Sequence, residues 1–456
     1  MYLVAKLEIN MLEGSIWDKV LKFAIPLAMT SIMQQLFNAA DVAIVGQFVG
    51  KEALAAVGAN GIVINLMLNL MVGLSIGANV ACANFLGART YLRLKKAVHT
   101  SMLVAVLCGI FLAVFGVTFG RDILLLIDTP PEILDAAELY LQILMAGVPT
   151  LLLYNFGAAL LRSKGDTRRP LYAMLASGCI NVSLNLFFVL ALHMGVEGVA
   201  IATVIATTCS ACLIVYWLHQ EEGPMQLQLR KLAIDVSVLA YIARIGLPAG
   251  LQGMVFSFSN IIIQIAINNL GAEYIAASAI ALNFEFAAFF ILSAFSQAAT
   301  TFVGQNFGAG NIRRCRQIMR WCVGMNFVIT GSICLLMSLL APFLAAIYTA
   351  DAEVIEYAVL RIRYILTFEF MNVVIETCSG GMRGVGHSLY PAAACFLGVC
   401  VFRVIYIYTI FAAEPVFSVL MAVYPISWVF TILLIIGAYF YVFNKLERSM
   451  LPAVGK

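Results

Sequence analysis

The chain has 456 residues, of which 62% are hydrophobic and only 11% charged, with a mean hydropathy of +0.97 and a formal net charge of +3. No water-soluble fold has enough polar surface to cover so much apolar side chain, so the bilayer must be the solvent. The small positive excess lies in short loops with no aromatic-basic motif beside it, so no nucleic-acid partner is expected.

A membrane-crossing helix needs about 20 mostly apolar residues. In chain order, twelve such stretches are predicted, roughly at 18–46, 53–83, 97–119, 133–161, 170–193, 196–218, 237–268, 275–303, 318–346, 355–381, 390–412 and 416–443. The start of the chain shows no short apolar run followed by a small-residue cleavage site, so the first span is expected to act as an uncleaved insertion signal.

Lys and Arg set the orientation. They gather before the first span (Lys6, Lys19, Lys22) and in every second connection: Arg89 to Lys96, Arg162 to Arg169, Arg230-Lys231, Arg313 to Arg320, Arg383, and Lys445 to Lys456. The alternate connections hold little more than Lys51 and Arg121. By the positive-inside rule both termini are cytoplasmic, in the plasma (inner) membrane of the cell.

The second half repeats the first at a displacement of about 221 residues. Gly50, Glu52, Ala55 and Ala56 recur as Gly271, Glu273, Ala276 and Ala277. Gly87-Ala88 recurs as Gly308-Ala309, Arg93 as Arg314, and Arg162, Gly165 and Pro170 as Arg383, Gly386 and Pro391. Each half carries six spans and so begins and ends on one side, which makes the halves parallel repeats about an axis along the membrane normal. The expected fold is all-α: a lobe at 1–218, a polar cytoplasmic linker at 219–236 with room for a short surface helix, and a second lobe at 237–456.

Ionisable groups at membrane depth are costly, so each is a functional candidate by default. Asp41 is the one deep carboxylate of the first half, and the duplicated position is apolar (Ile262 or Ile263). There it can hold a proton near neutral pH and release it when water or a cation enters; a fixed strut between helices is the plainer role. Asn181 and Asn185, four apart, share a face of the fifth span. Interhelical hydrogen bonding is the plainer role for them.

In the second half Glu369, Asn372 and Glu376 fall on one face of the tenth span by i, i+3, i+7 spacing. Glu285 lies in the eighth span and Arg403 in the eleventh. Their first-half equivalents are Val148, Leu151, Asn155, Ile64 and Val182, so polarity was added to one lobe, as a cavity requires. Charge pairing without substrate contact is the alternative, and Arg403 is expected to partner one of the three carboxylates. Arg162 and Arg383 read as topology anchors at inner span ends, or as gate residues.

The eleven cysteines lie almost wholly in apolar stretches, where free buried thiols are expected. Cys209 and Cys212 have redox-motif spacing but no His or charge nearby. The four histidines, His99, His193, His219 and His387, fall at span ends without clustering, so no metal site of the usual kind is expected. The chain lacks G-x-x-x-x-G-K-[ST], which leaves an ion gradient as the energy source.

The segment L-F-N-A-A-D-V-A-I-V-G at 36–46, L-R-S-K-G-D-T-R-R-P at 161–170, N-V-S-L-N at 181–185 and G-V-A-I-A-T at 198–203 together resemble the multidrug and toxic compound extrusion (MATE) family. Within that family the chain is most similar to the DinF-like branch. The resemblance implies twelve helices in two six-helix lobes around a central cavity, working by alternating access as an antiporter. Organic cations and other amphipathic compounds would leave in exchange for H+ or Na+, with no cofactor, no enzymatic activity and a monomer as the working unit.

It also implies a cation-linked site of Asp41, Asn181, Asn185 and Thr203. The family often has Asp where Asn185 stands, so one titrating group remains, which favours a single-proton site or weakens sodium binding. In better-studied branches acidic residues fall at Asn372 and near Phe256. Their absence here puts a second-lobe sodium site in doubt, unless Glu376 substitutes. Two other classes stay open: a lipid-linked-oligosaccharide flippase, which would want a strongly cationic cavity, and a membrane-embedded enzyme, which would want an Asp-rich metal motif or an embedded His.

Overall fold

The computed structural model describes residues 9–127 and 129–450. Lys6 and Lys456, counted above among the cytoplasmic charges, lie outside the described residues. Every regular element among the described residues is helical, as lipid demands of a chain that must satisfy its backbone hydrogen bonds within each segment.

The first copy forms α1 (Trp17–Ile44), α2 (Lys51–Gly87), α3 (Tyr91–Leu126), α4 (Pro131–Ser163), α5 (Arg168–Leu186) and α6 (Val196–His219). The second forms α7 (Val236–Leu270), α8 (Ala272–Gly308), α9 (Ile312–Leu339), α10 (Ala341–Ala346), α11 (Ala352–Leu366), α12 (Glu369–Gly384), α13 (Leu389–Cys395), α14 (Phe402–Tyr406) and α15 (Phe417–Met450). Eleven helices among the described residues are long and apolar enough to cross a membrane. The twelfth crossing is shared by α11 and α12, of 15 and 16 residues.

The turns repeat as the sequence does. Gly50 (φ 126°) and Gly271 (φ 135°) open α2 and α8, Gly165 and Gly386 follow α4 and α12, and Arg89 matches Gly310, all at positive φ. A positive φ is cheap only without a Cβ, which explains why the glycines were kept in both copies. Gly87 and Gly308 end α2 and α8 as helix termini.

The copies diverge at two points. The counterpart of the unbroken α3 is split into α9 and α10, where Pro342 cannot continue the helix ladder. The counterpart of the unbroken α4 is split at Thr367-Phe368, so the expected continuous span over 355–381 is two helices. Glu369 opens the second of them, where the positive end of the helix dipole favours a carboxylate.

Wide turns with i→i+5 bonding interrupt three spans. They occupy Val45–Val49 after α1, Phe187–Ala191 after α5, and both Phe396–Val401 and Ile407–Phe411 around α14. Such turns are frequent at functional sites.

The chain divides into two compact units, and the division does not fall at the linker. Of the described residues, one unit holds Ile9, 29–127 and 129–250; the other holds 10–28 and 251–450. Each thus contains the first part of a helix begun in the other half of the sequence. Within the first unit, α4 packs on α2, α3 and α6. Small residues let the start of α7 approach α2: a Cβ on Gly73 would lie 2.2 Å from Gly250 Cα, and one on Gly77 would lie 2.3 Å from the Ile242 carbonyl oxygen. Gly77→Val is expected to cost about 1–3 kcal/mol through overpacking and to lower the melting temperature in detergent. Gly61→Ala, which meets nothing within 4 Å, should leave it unchanged.

The linker belongs to the first unit. It forms two 3-10 turns, Gly223–Met225 and Leu229–Lys231, in place of a surface-lying helix. Leu227 and Met225 are buried, so the segment spends its few apolar residues inward. Gln228 N donates to His99 Nε2, Asp235 N donates to Thr100 Oγ1, and Glu221 meets both Lys164 and Arg169. The hydrogen bond from Lys96 holds the Asp235 carboxyl well below the usual carboxylate range, helped by Ser237 and the Val238 amide. A carboxyl depressed in the folded chain contributes in full above its unfolded value, about pH 4, and its contribution fades only as pH falls through the lower folded value. Amide protection across 226–238, read by hydrogen exchange, should therefore weaken only as pH falls below about 4, and Asp235→Asn should reduce it above that pH, the difference closing as the wild-type carboxyl takes up its proton.

All eleven cysteines are free. Cys179 and Cys212 are exposed rather than buried, since a helix face open to lipid needs only an apolar side chain.

Candidate functional site

In the first unit, five helices enclose a cavity of about 500 Å³. Asp41, Asn38 and Phe37 enter it from α1, Tyr140 and Asn155 from α4, Ser177 and Asn181 from α5, and Thr203, Thr207 and Ser210 from α6, while α2 gives Val57, Gly58 and Gly61. Gly178 on α5 makes room for the Phe37 ring, since a Cβ there would lie 1.8 Å from it. Among the described residues no Lys or Arg lines the cavity, and Asp41 is its only carboxylate.

The four residues grouped above on the family resemblance come together. Asn185 Nδ2 donates to Asp41 Oδ1 at 2.5 Å and also lies 3.4 Å from Asn181 Oδ1. Asn181 Nδ2 donates to Thr203 Oγ1 at 3.2 Å. The Thr203 hydroxyl lies 3.4 Å from Asp41 Oδ2 and 3.0 Å from the Val199 carbonyl oxygen, so its one proton serves either. Asn185 is fully buried, and its Oδ1 finds no donor. A carboxylate held by neutral donors, beside an unused amide acceptor, can accommodate a proton: rotation of the Asn185 amide would turn Oδ1 toward a carboxylic O–H.

The second-unit candidates sort into pairs. Arg361 grips Glu285 bidentately, with Nε and Nη2 at 2.7 and 3.0 Å. Asn372 Nδ2 donates to Glu369 Oε1 at 2.9 Å. Glu376 receives Gln252 Nε2 at 3.3 Å and lies 3.7 Å from Arg383 Nη2, which itself donates to Gln252 Oε1 at 2.8 Å. Arg383 is therefore buried and faces Glu376 through Gln252 as well as directly.

Arg403 makes no direct ion pair with Glu285, Glu369 or Glu376, and of the three it is Glu369 that acts on it, from a distance. Its Nε donates to Ser427 Oγ at 3.0 Å and its Nη1 to Asn260 Oδ1 at 3.4 Å, and its guanidinium carbon lies 4.6 Å from the Tyr424 ring centroid. Glu285 is already taken by Arg361, and Glu369 has the α12 N-terminus and Asn372.

Sequence reasoning missed Arg361, Tyr424 and Gln252 in this unit, and Tyr140, Ser177 and Thr207 in the first. The signal for Arg361 was present: it is a guanidinium inside the predicted tenth span, where a charge is as costly as at Glu369. Tyr424, Ser177 and Thr207 carry no such signal, since these residue types are common in helices that cross a membrane.

The family model described as MatE matches this chain twice, over residues 26–187 and 248–409. The chain is 26% identical over 451 residues to the probable multidrug resistance protein YoeA of Bacillus subtilis, covering 96% of each. It is 29% identical over 395 residues to the probable multidrug resistance protein NorM of Thermotoga maritima, covering 84% of this chain and 82% of that protein. Among solved structures, an outward-facing multidrug resistance MATE transporter of the MOP superfamily superposes with a TM-score of 0.89 at 22% identity, covering 96% of this chain and 98% of that one. A model matched in both copies over most of the chain shows the family: this protein belongs to the MATE family of multi-pass membrane transporters.

Proposed function

We propose that this chain is a secondary-active multidrug exporter. It moves organic cations and other amphipathic compounds outward by alternating access, against an inward flow of protons through Asp41. The observation that carries this reading is the first-unit cavity: among the described residues, a single carboxylate, neutral hydrogen-bonding partners, no Lys or Arg, and walls that are otherwise largely apolar. An organic cation gains from such a lining, whereas a pyrophosphate would meet no cation there.

The neutrality of Asn185 favours protons over sodium. Asn185 presents its Nδ2 to Asp41, whereas a sodium ion would need oxygens at that position and, to be held firmly, more than one negative charge. The names of the relatives from Bacillus subtilis and Thermotoga maritima support the drug-export reading. Both termini lie on the cytoplasmic side of the inner membrane, following the distribution of Lys and Arg.

The test is efflux of a fluorescent organic cation from proteoliposomes holding the purified protein. An imposed pH gradient should drive export and an imposed sodium gradient should not. Sodium-driven export would move the coupling site toward Glu376 and Glu285. Failure to export any organic cation under either gradient would overturn the assignment in favour of a flippase.

A further inference from the structure

The second unit holds three buried guanidinium groups near three carboxylates, but only two of them are paired. Arg361 is matched by Glu285 and Arg383 by Glu376. Arg403, 2% exposed, has no Asp or Glu oxygen within ion-pair distance among the described residues; it donates to Ser427 and Asn260, the latter at a long 3.4 Å. The remaining carboxylate, Glu369, is bound by Asn372 and sits at a helix N-terminus. A second donor nearby is also unfilled: Arg361 is likewise 2% exposed, and its Nη1 is buried without an acceptor. Both guanidinium carbons lie over one ring, that of Tyr424, at 5.8 and 4.6 Å from its centroid.

Both cations lie over one ring, and only Arg361 has a carboxylate within ion-pair distance, while Glu369 acts on Arg403 from farther off. Buried guanidinium donors without an acceptor are costly, and a small anion seated against them would fill them. The backbone gives independent support. Arg403 stands between the wide turns Phe396–Val401 and Ile407–Phe411, and the second of these repeats the turn at Phe187–Ala191 that follows Asn185 in the first copy. The same local scaffold thus presents the neighbours of a carboxylate in one unit and a guanidinium in the other.

We propose that Arg403, Arg361 and Tyr424 form an anion site in the second unit. It takes a small monovalent anion, either a halide or the carboxylate of an amphipathic substrate. The inference does not depend on proton-driven export, and its test reads stability instead of transport.

The melting temperature of the full-length protein in detergent would be followed at constant ionic strength as bulky gluconate is replaced by chloride, bromide or butyrate. A saturable rise of a few degrees is expected in wild type, with the response lost in Arg403→Gln and shifted to several-fold higher concentration in Tyr424→Phe, which keeps both charges. A response to chloride and bromide identifies a halide site. A response to butyrate alone identifies a substrate carboxylate. Equal responses in wild type and Arg403→Gln, or no response to any of the three anions, would overturn the proposal. If Arg403→Gln does not fold, an unshifted response in Tyr424→Phe decides against it, as does the absence of a bromide anomalous peak beside Arg403 in a crystal of wild type.

Discussion

Asp41→Asn is expected to abolish gradient-driven export, reducing it to the rate of protein-free vesicles, while leaving the yield and melting temperature of the protein near those of wild type. The substitution removes the one carboxylate among the described lining residues of the first-unit cavity and replaces it with an amide of nearly the same shape. That amide can still accept from Asn185 and Thr203, the partners Asp41 has now. Packing is therefore preserved while the exchangeable charge is lost. A structural strut and a coupling group predict opposite results here. A strut would survive the change, whereas a group that must alternate between charged and neutral forms cannot. Normal pH-driven transport by Asp41→Asn would refute the coupling role and leave Asp41 a strut. Asn185→Ala should act more mildly, slowing transport without uncoupling it, because a water can replace one hydrogen bond but not a titrating group.

Arg361→Leu is expected to lose about 3–5 kcal/mol of stability, the usual cost of leaving one member of a buried ion pair without its partner. Glu285 is only 14% exposed at its side chain and takes both of its strong hydrogen bonds from Arg361. Neither lipid nor the neighbouring carboxylate Glu369 can replace them. The double variant Arg361→Leu/Glu285→Leu should recover most of the loss, because an apolar pair of similar volume avoids the desolvation of both charges. Melting temperatures of the two single variants and the double variant form a complete cycle. A double variant no more stable than Arg361→Leu would show that the pair is needed for something other than neutralising itself.

What the sequence made legible followed from the cost of polarity in lipid. Asp41, Asn181 and Asn185 stood out because a carboxylate and two amides in apolar helices demand partners, and the structure makes them partners of one another. The wide turns beside them were not legible, since Val45–Val49 and Phe187–Ala191 are ordinary apolar stretches whose geometry is set by packing. In the second half the same rule found the carboxylates but not their partners. Pairing Glu285 with Arg361 is a tertiary fact between α8 and α11, and the break at Thr367-Phe368 that separates Arg361 from Glu369 carries neither Gly nor Pro to announce it. The turns of the linker were hidden for the opposite reason: it is polar in composition, yet Met225 and Leu227, the residues it buries, are apolar.

The exchange of helix beginnings between the two units bears on how the chain is made. Residues 10–28 are synthesised first but belong to a unit whose other members, from 251 onward, are synthesised last. The first unit in turn waits for 236–250, encoded beyond the linker. Neither half can be finished when the ribosome reaches the middle of the message. A gene cut at the linker would yield two polypeptides that are each incomplete alone, and complete only when both are present in one membrane.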